Sequence, residues 1–351
     1  MTGEKPVTRS RRALALASTL ALAAGGGAVF AALGLPVGWL LGSALAVSVA
    51  SLLGHDTRLP NWLRDAVFIV LGTQAGAGVT PAVVGQLALW PLSFAIQMAG
   101  VVAVIAVTYT FLRKGFGWDK ETALFAALPG AMSFVIAAAS QTRADMTRIT
   151  VVQSVRLLLL IGALTPTLAW LEGGEGIRAA DRGDAGSPAE YAILVVACLA
   201  GAFLGHVSRL PGGILLGALA ASAVLHVTEI APVAMPSAIS VAGLLVLGAL
   251  IGSRLKGENR RALVELLPAS LGAFVIGLAI SAAAGLAAFW WLGIGFGKIA
   301  LAYAPGALEA LTVLAYQFDL DPAYVAAHHV VRFVCIALLV PILARRLPKA
   351  G

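Results

Sequence analysis

Apolar stretches follow one another along this chain, at 13–33, 36–53, 63–79, 86–112, 121–139 and 149–170, and again at 191–206, 211–227, 237–253, 264–292, 298–316 and 323–344. An apolar run of about 20 residues is the length that crosses a bilayer core. A transmembrane barrel would show alternating segments of roughly ten residues instead, and the chain has none. The pattern therefore predicts membrane-spanning helices. The fifth run of each set is different. It is interrupted by Pro129-Gly130 or Pro305-Gly306 and carries Ser133, Ser140, Gln141, Glu309 and Gln317. Proline removes a backbone donor and glycine loosens a helix, so 121–139 and 298–316 are expected to be broken or re-entrant.

The two sets are copies of one unit. Leu35-Pro36-Val37-Gly38-Trp39-Leu40-Leu41-Gly42 matches Leu210-Pro211-Gly212-Gly213-Ile214-Leu215-Leu216-Gly217 at an offset of 175. Leu71-Gly72 and Gly76 match Leu247-Gly248 and Gly252 at an offset of 176, as do Pro129-Gly130 and Pro305-Gly306, Asp145 and Asp321, and Arg156 and Arg332. The expected organisation is a first repeat over 1–171, a polar linker rich in Gly, Asp and Glu over 172–190, and a second repeat over 191–351.

Composition agrees with the pattern. The chain is 60% hydrophobic and 12% charged, with a mean hydropathy of +0.93, against about 45–50% and about 25% in soluble domains. A soluble protein is excluded. The net charge of +7 would suggest nucleic acid as a partner in a soluble chain. Here it reflects the Lys and Arg that gather on cytoplasmic loops, and no nucleic-acid partner is expected. Loop charges also bear on topology. If all twelve runs cross, the Lys and Arg outside the two intramembrane arginines divide into about 15 inside and 7 outside. If the fifth runs turn back, the division becomes 19 inside and three outside (Arg178, Arg182 and Lys298). The second arrangement gives five spans per repeat, an odd number, which inverts the two repeats relative to each other, as in many secondary transporters. The expected fold is an all-α, multi-pass transmembrane bundle of two inverted repeats. It has about ten spans plus two broken or re-entrant segments, and its termini are in the cytoplasm of a bacterial inner membrane. Lys5, Arg9, Arg11 and Arg12 ahead of the first run resemble a signal or twin-arginine leader, but the run exceeds the usual 7–15 residues, so an uncleaved first helix is expected. Trp39, Trp62, Trp90, Trp170, Trp290 and Trp291 fall near run ends, as interfacial belts do.

Ionisable groups inside apolar runs are costly and mark function or structure. Arg156 sits well inside the sixth run and Arg332 holds the same place in the twelfth, with Gln153 and His329 one helical turn earlier. One reading is that Arg156, Arg332, Gln153 and His329 bind an anionic solute, helped by helix ends freed at Pro129, Gly130, Pro305 and Gly306, with Glu309 and His329 as proton-coupling groups. The other is that the arginines pair with Glu309, Asp145 or freed carbonyls and lock the repeats together. Asp145 and Asp321 suit helix capping. His328 and His329 point about 100° apart on a helix, and no His/Asp/Glu cluster has ligand spacing, so neither a metal nor another cofactor is expected. Cys198 and Cys335 lie in apolar runs and read as buried small hydrophobes.

These residues carry a family resemblance. Leu128-Pro129-Gly130-Ala131, Ala144-Asp145 and Gln153-Ser154-Val155-Arg156 in the first half resemble the signatures of the AbrB family of duplicated membrane proteins. So do Ala304-Pro305-Gly306-Ala307-Leu308-Glu309-Ala310, Asp321-Pro322 and Ala327-His328-His329-Val330-Val331-Arg332 in the second, and the resemblance extends over 35–346. Many members place a carboxylate just after the first Pro-Gly, where this chain has Ser133-Phe134. A symmetric two-carboxylate mechanism is therefore not expected, and Glu309 stands without a counterpart. The resemblance implies a regulator of gene expression, and for some members an ammonia monooxygenase. Three functions stay open. The leading one is a secondary transporter or permease for a small anionic solute, which is not an enzyme and has the lipid bilayer, and possible homo-oligomer contacts, as surroundings. The second is a membrane-embedded regulator acting through a partner on basic loops such as 254–261. The third, a monooxygenase, requires a metal centre that the histidine spacing does not offer.

Overall fold

A computed structural model describes residues 9–79, 90–130, 132–171, 186–210, 212–233, 235–255 and 260–344. Residues 172–185 of the expected linker, 86–89 of the fourth run, Lys5, Lys256 and 345–351 lie outside the described residues. Within them the chain is helical throughout. The first repeat contributes α1 (Arg9–Ala32), α2 (Gly38–Leu52), α3 (Asn61–Ala77), α4 (Trp90–Phe116), α5 (Lys120–Ala127), α6 (Met132–Ala139) and α7 (Met146–Leu171). The second contributes α8 (Pro188–Val207), α9 (Gly213–Val227), α10 (Ser237–Gly252), α11 (Arg260–Leu292), α12 (Phe296–Tyr303), α13 (Leu308–Gln317) and α14 (Pro322–Ala344). Each helix of one repeat has its counterpart seven places on. Seven of them, α1, α4, α7, α8, α10 with its 3-10 extension, α11 and α14, are long and apolar enough to cross a membrane. Two shorter apolar helices, α2 and α9, accompany them among the described residues. Large apolar side chains on α1, α4, α8 and α11 are exposed, as are Trp62, Trp170, Trp290 and Trp291, the distribution a lipid-facing surface requires.

Glycines fix the direction of neighbouring helices, because they let backbones touch. Gly72 and Gly76 of α3 press on the carbonyls of Leu215 and Leu219 of α9, and Gly248 and Gly252 of α10 press on those of Leu40 and Ala44 of α2. Numbers rise together in both pairs, so α3 runs parallel to α9 and α2 parallel to α10. By contrast Gly26 meets Gly42 while Gly38 meets Phe30 and Ala31, and Gly201 meets Gly217 while Gly205 meets Gly213. Helices α1 and α2 are thus antiparallel, and so are α8 and α9. Gly243 meets Leu71, while Arg64 and Phe68 share a small cavity with Leu247 to Arg254, which makes α3 and α10 antiparallel. Taken together, α2, α8 and α10 point one way and α1, α3 and α9 the other. Every equivalent pair, α1 with α8, α2 with α9 and α3 with α10, is opposed. The repeats are inverted, as the loop charges suggest.

The broken segments turn back. Asp145, just before α7, donates its backbone N–H to the hydroxyl of Thr122 in the first turn of α5 at 2.7 Å. The chain has therefore returned to the level where α5 began, and α5 with α6 forms a re-entrant hairpin. In the second repeat Lys298, in the first turn of α12, holds Asp321 just before α14 at 2.6 Å. Thr122 and Lys298, like Asp145 and Asp321, are separated by the repeat offset of 176. One closure is a hydrogen bond and the other an ion pair. Asp145 and Asp321 also cap the following helices, accepting from the N–H groups of Arg148 and Tyr324, each at 3.1 Å.

Candidate functional site

The hairpin tips are where the backbone runs out of partners. α5 stops at Ala127, Leu128 is extended, and Gly130 adopts φ +88°, a region that favours glycine. α12 stops at Tyr303, Ala304 and Ala307 are extended, and Pro305-Gly306 lie between. Carbonyls at the end of a half-helix carry the negative pole of its dipole and lack N–H partners. The intramembrane arginines supply them. Arg156 donates from Nη1 and Nη2 to the Leu128 carbonyl at 3.3 and 3.2 Å, and from Nη2 to Oε1 of Gln153 at 3.3 Å. Arg332 donates from Nη1 to the Ala304 carbonyl and from Nη2 to that of Gly306, both at 2.7 Å. One turn earlier, Gln153 Nε2 donates to the Phe125 carbonyl at 3.2 Å and His329 Nε2 to the Leu301 carbonyl at 3.1 Å. The bonds to Phe125 and Leu301, and those to Leu128 and Ala304, are images of each other at the repeat offset. Of the partners weighed for the arginines, freed carbonyls are the ones found. Among the described residues neither arginine pairs with Glu309 or Asp145, and Asp145 instead holds Arg148 at 3.2 Å.

The two tips meet. A Cβ on Gly130 would stand 3.3 Å from Arg332 Nη2 and 3.5 Å from the Gly306 carbonyl. Around them lies a cavity of about 410 Å³. All nine residues singled out from the sequence, Pro129, Gly130, Gln153, Arg156, Pro305, Gly306, Glu309, His329 and Arg332, line it. Sequence reasoning missed Met132, Gly212 and Arg254, which also line it. Arg254 follows α10 and reads in the sequence as one more loop cation. Gly212 could have been found through the repeat, since it matches Val37 and both take left-handed φ, +64° and +50°. Among the described residues the lining thus carries three guanidinium groups against one carboxylate. The first turn of α13 opens onto the same space through Leu308 and Glu309, without a side-chain cap on its N–H groups. Arg254 and Glu309 also line a smaller cavity of about 150 Å³ that reaches Arg64.

His328 belongs elsewhere. Its Nδ1 bonds the Tyr324 carbonyl at 2.8 Å and its Nε2 meets Ser93 Oγ at 2.8 Å. Ser93 in turn meets the hydroxyls of Tyr303 at 3.0 Å and Tyr324 at 2.5 Å. Lys298 lies over the Tyr324 ring at 4.5 Å. This buried cluster ties α4, α12 and α14 together and was not anticipated, because a single serine in an apolar run gives no spacing signal. No three His, Cys, Asp or Glu side chains gather as a metal site would need, among the described residues.

Comparison with known proteins agrees with the residues that carry the resemblance. "Putative regulator AbrB" of Escherichia coli (strain K12) is 25% identical over 320 residues, spanning 90% of this chain and 91% of that protein. "Uncharacterized protein YhjN" of Bacillus subtilis (strain 168) is 23% identical over 364 residues, spanning 92% and 90%. The family model described as "Transition state regulatory protein AbrB" matches residues 39–348, most of the chain and both re-entrant hairpins, and the protein belongs to the AbrB family.

Proposed function

We propose that this chain is a secondary transporter or permease of the bacterial inner membrane that moves a small anionic solute. Its termini lie in the cytoplasm and its linker in the periplasm, the orientation that puts most loop cations inside. The observation that carries the reading is the meeting of two re-entrant half-helix breaks at one cavity whose charged lining is Arg156, Arg254, Arg332 and Glu309. Inverted repeats that place discontinuous helices around a central site are the architecture of secondary transport. The guanidinium groups attract the anion, the free N–H groups of α13 can hold it, and Glu309 is the one carboxylate there that could exchange a proton. The solute leaves unchanged, so the protein is not an enzyme and needs no cofactor.

Proteoliposomes test this with a panel of labelled small carboxylates and phosphate in counterflow. Wild-type protein accumulates at least one of them, and Arg332→Gln and Arg156→Gln reduce the rate at least tenfold. Arg332→Lys, which keeps the charge, monitors folding. If no panel anion moves, or if all three variants transport as wild type does, the reading fails. A regulatory reading is favoured by the descriptions of the family model and of one relative as regulators. It predicts instead a soluble protein crosslinked to loops such as 254–261, with no solute flux.

A further inference from the structure

The repeats hold Phe125 and Leu301, and Leu128 and Ala304, in the same way, but they differ beside the arginines, and one of those differences bears on which anion the site takes. In the first repeat Gln153 uses both ends of its amide, Nε2 on the Phe125 carbonyl and Oε1 accepting from Arg156. In the second, His329 stands in the equivalent place and its Nε2 faces the Leu301 carbonyl. A carbonyl can only accept, so the proton of the neutral ring sits on Nε2 and Nδ1 carries a lone pair. Arg332 bonds the Ala304 and Gly306 carbonyls and makes no hydrogen bond to that lone pair. Nδ1 is buried without a hydrogen-bond partner among the described residues, on a side chain only 2% exposed that lines the cavity. Buried acceptors are normally satisfied.

Resting on the anion-binding reading of this cavity, we propose that its ligand is a small oxyanion bearing its own hydroxyl donor beside the charge. The guanidinium lining takes the negative oxygens and His329 Nδ1 accepts the hydroxyl. A bare carboxylate or sulfate offers only acceptors, and two acceptors cannot bond. An ammonium donor would suit Nδ1 but is opposed by three guanidinium groups in the same space. A 2-hydroxycarboxylate and a protonated phosphate share the required chemistry.

Titration calorimetry on the purified full-length protein at pH 7 distinguishes them, using the pairs glycolate and acetate, lactate and propionate, and phosphate and sulfate. In wild type the hydroxyl-bearing member of at least one pair binds about tenfold tighter, the discrimination one well-made buried hydrogen bond supplies. The pair that discriminates identifies the source. His329→Gln keeps most of that preference, because its Oε1 can accept as that of Gln153 does, whereas His329→Phe reduces it to less than about threefold. A melting curve confirms that both variants are folded, and the wild-type comparison stands even if His329→Phe is not. Equal binding within all three pairs, or a preference that survives His329→Phe, overturns the inference and leaves the anion site intact. Binding of none of the six overturns both.

Discussion

At the scale of single residues, the cost of a buried unpaired carbonyl decides what the intramembrane arginines do first. Each such group left without a donor costs about 1–3 kcal/mol, and the hairpin tips expose several. Arg332 answers two of them with charged bonds of 2.7 Å, while Arg156 makes longer ones of 3.2–3.3 Å to a single carbonyl. Arg332→Ala is therefore expected to destabilise the protein by about 2–4 kcal/mol, and Arg156→Ala by less. Arg332→Lys should fall between wild type and Arg332→Ala, since one ammonium head cannot match the planar fork. Thermal unfolding in one detergent, with the variants side by side, checks the order. An Arg156→Ala protein that melts below Arg332→Ala would contradict it. These arginines were legible in the sequence because a charge inside an apolar run is expensive and here recurs at a fixed offset. Arg254 was not, because it sits among other cations at the end of a span where a charge costs little.

At the scale of elements, Pro129-Gly130 and Pro305-Gly306 told where a helix breaks but not which way it continues. Proline and glycine act locally, and direction is set by side chains 23 residues apart that tie each hairpin's start to its end, Thr122 to Asp145 and Lys298 to Asp321. Loop charges favoured turning back, and these ties establish it. The two ties differ in energy although they do the same job. Thr122 contributes one neutral hydrogen bond, about 1 kcal/mol. Lys298 and Asp321 are largely buried, with 11% and 9% of their side chains exposed, and removing one partner leaves a charge with little solvent. Lys298→Met is expected to cost about 3–5 kcal/mol and Thr122→Ala about 1. Adding Asp321→Asn to Lys298→Met should recover part of the loss, because the charge goes while an oxygen remains to cap α14. Melting of the two single variants and the double gives the answer. A double variant less stable than Lys298→Met alone would mean that Asp321 serves the fold in some way other than through the pair.

At the scale of the whole molecule, inversion makes a symmetric structure impossible to occupy symmetrically. The cavity draws Gly212 from the start of α9 and Arg254 from the end of α10, helix ends that share one side because the two helices are antiparallel. Their counterparts at the repeat offset, Val37 and Gly78, lie on the opposite side and do not line it. A Cβ on Gly78 would stand 3.0 Å from the Tyr316 ring and 3.2 Å from Pro322, so that approach is packed shut. Between inverted repeats, exchanging the two local conformations yields the same molecule open to the other side. If the chain is a transporter, the path at Gly78 must open when the one at Arg254 closes. In a background with Cys198 and Cys335 changed to alanine, Arg254→Cys should react at rest with a polar maleimide applied from the cytoplasmic face. Gly78→Cys should react slowly from the periplasmic face. Supplying a transported anion from the panel should raise the rate at Gly78→Cys and lower that at Arg254→Cys, each by about tenfold, since a shift of that size in a two-state equilibrium needs only a modest difference in affinity between the states. Rates that rise together would indicate general loosening, and rates that do not move would rule out alternating access through these two paths.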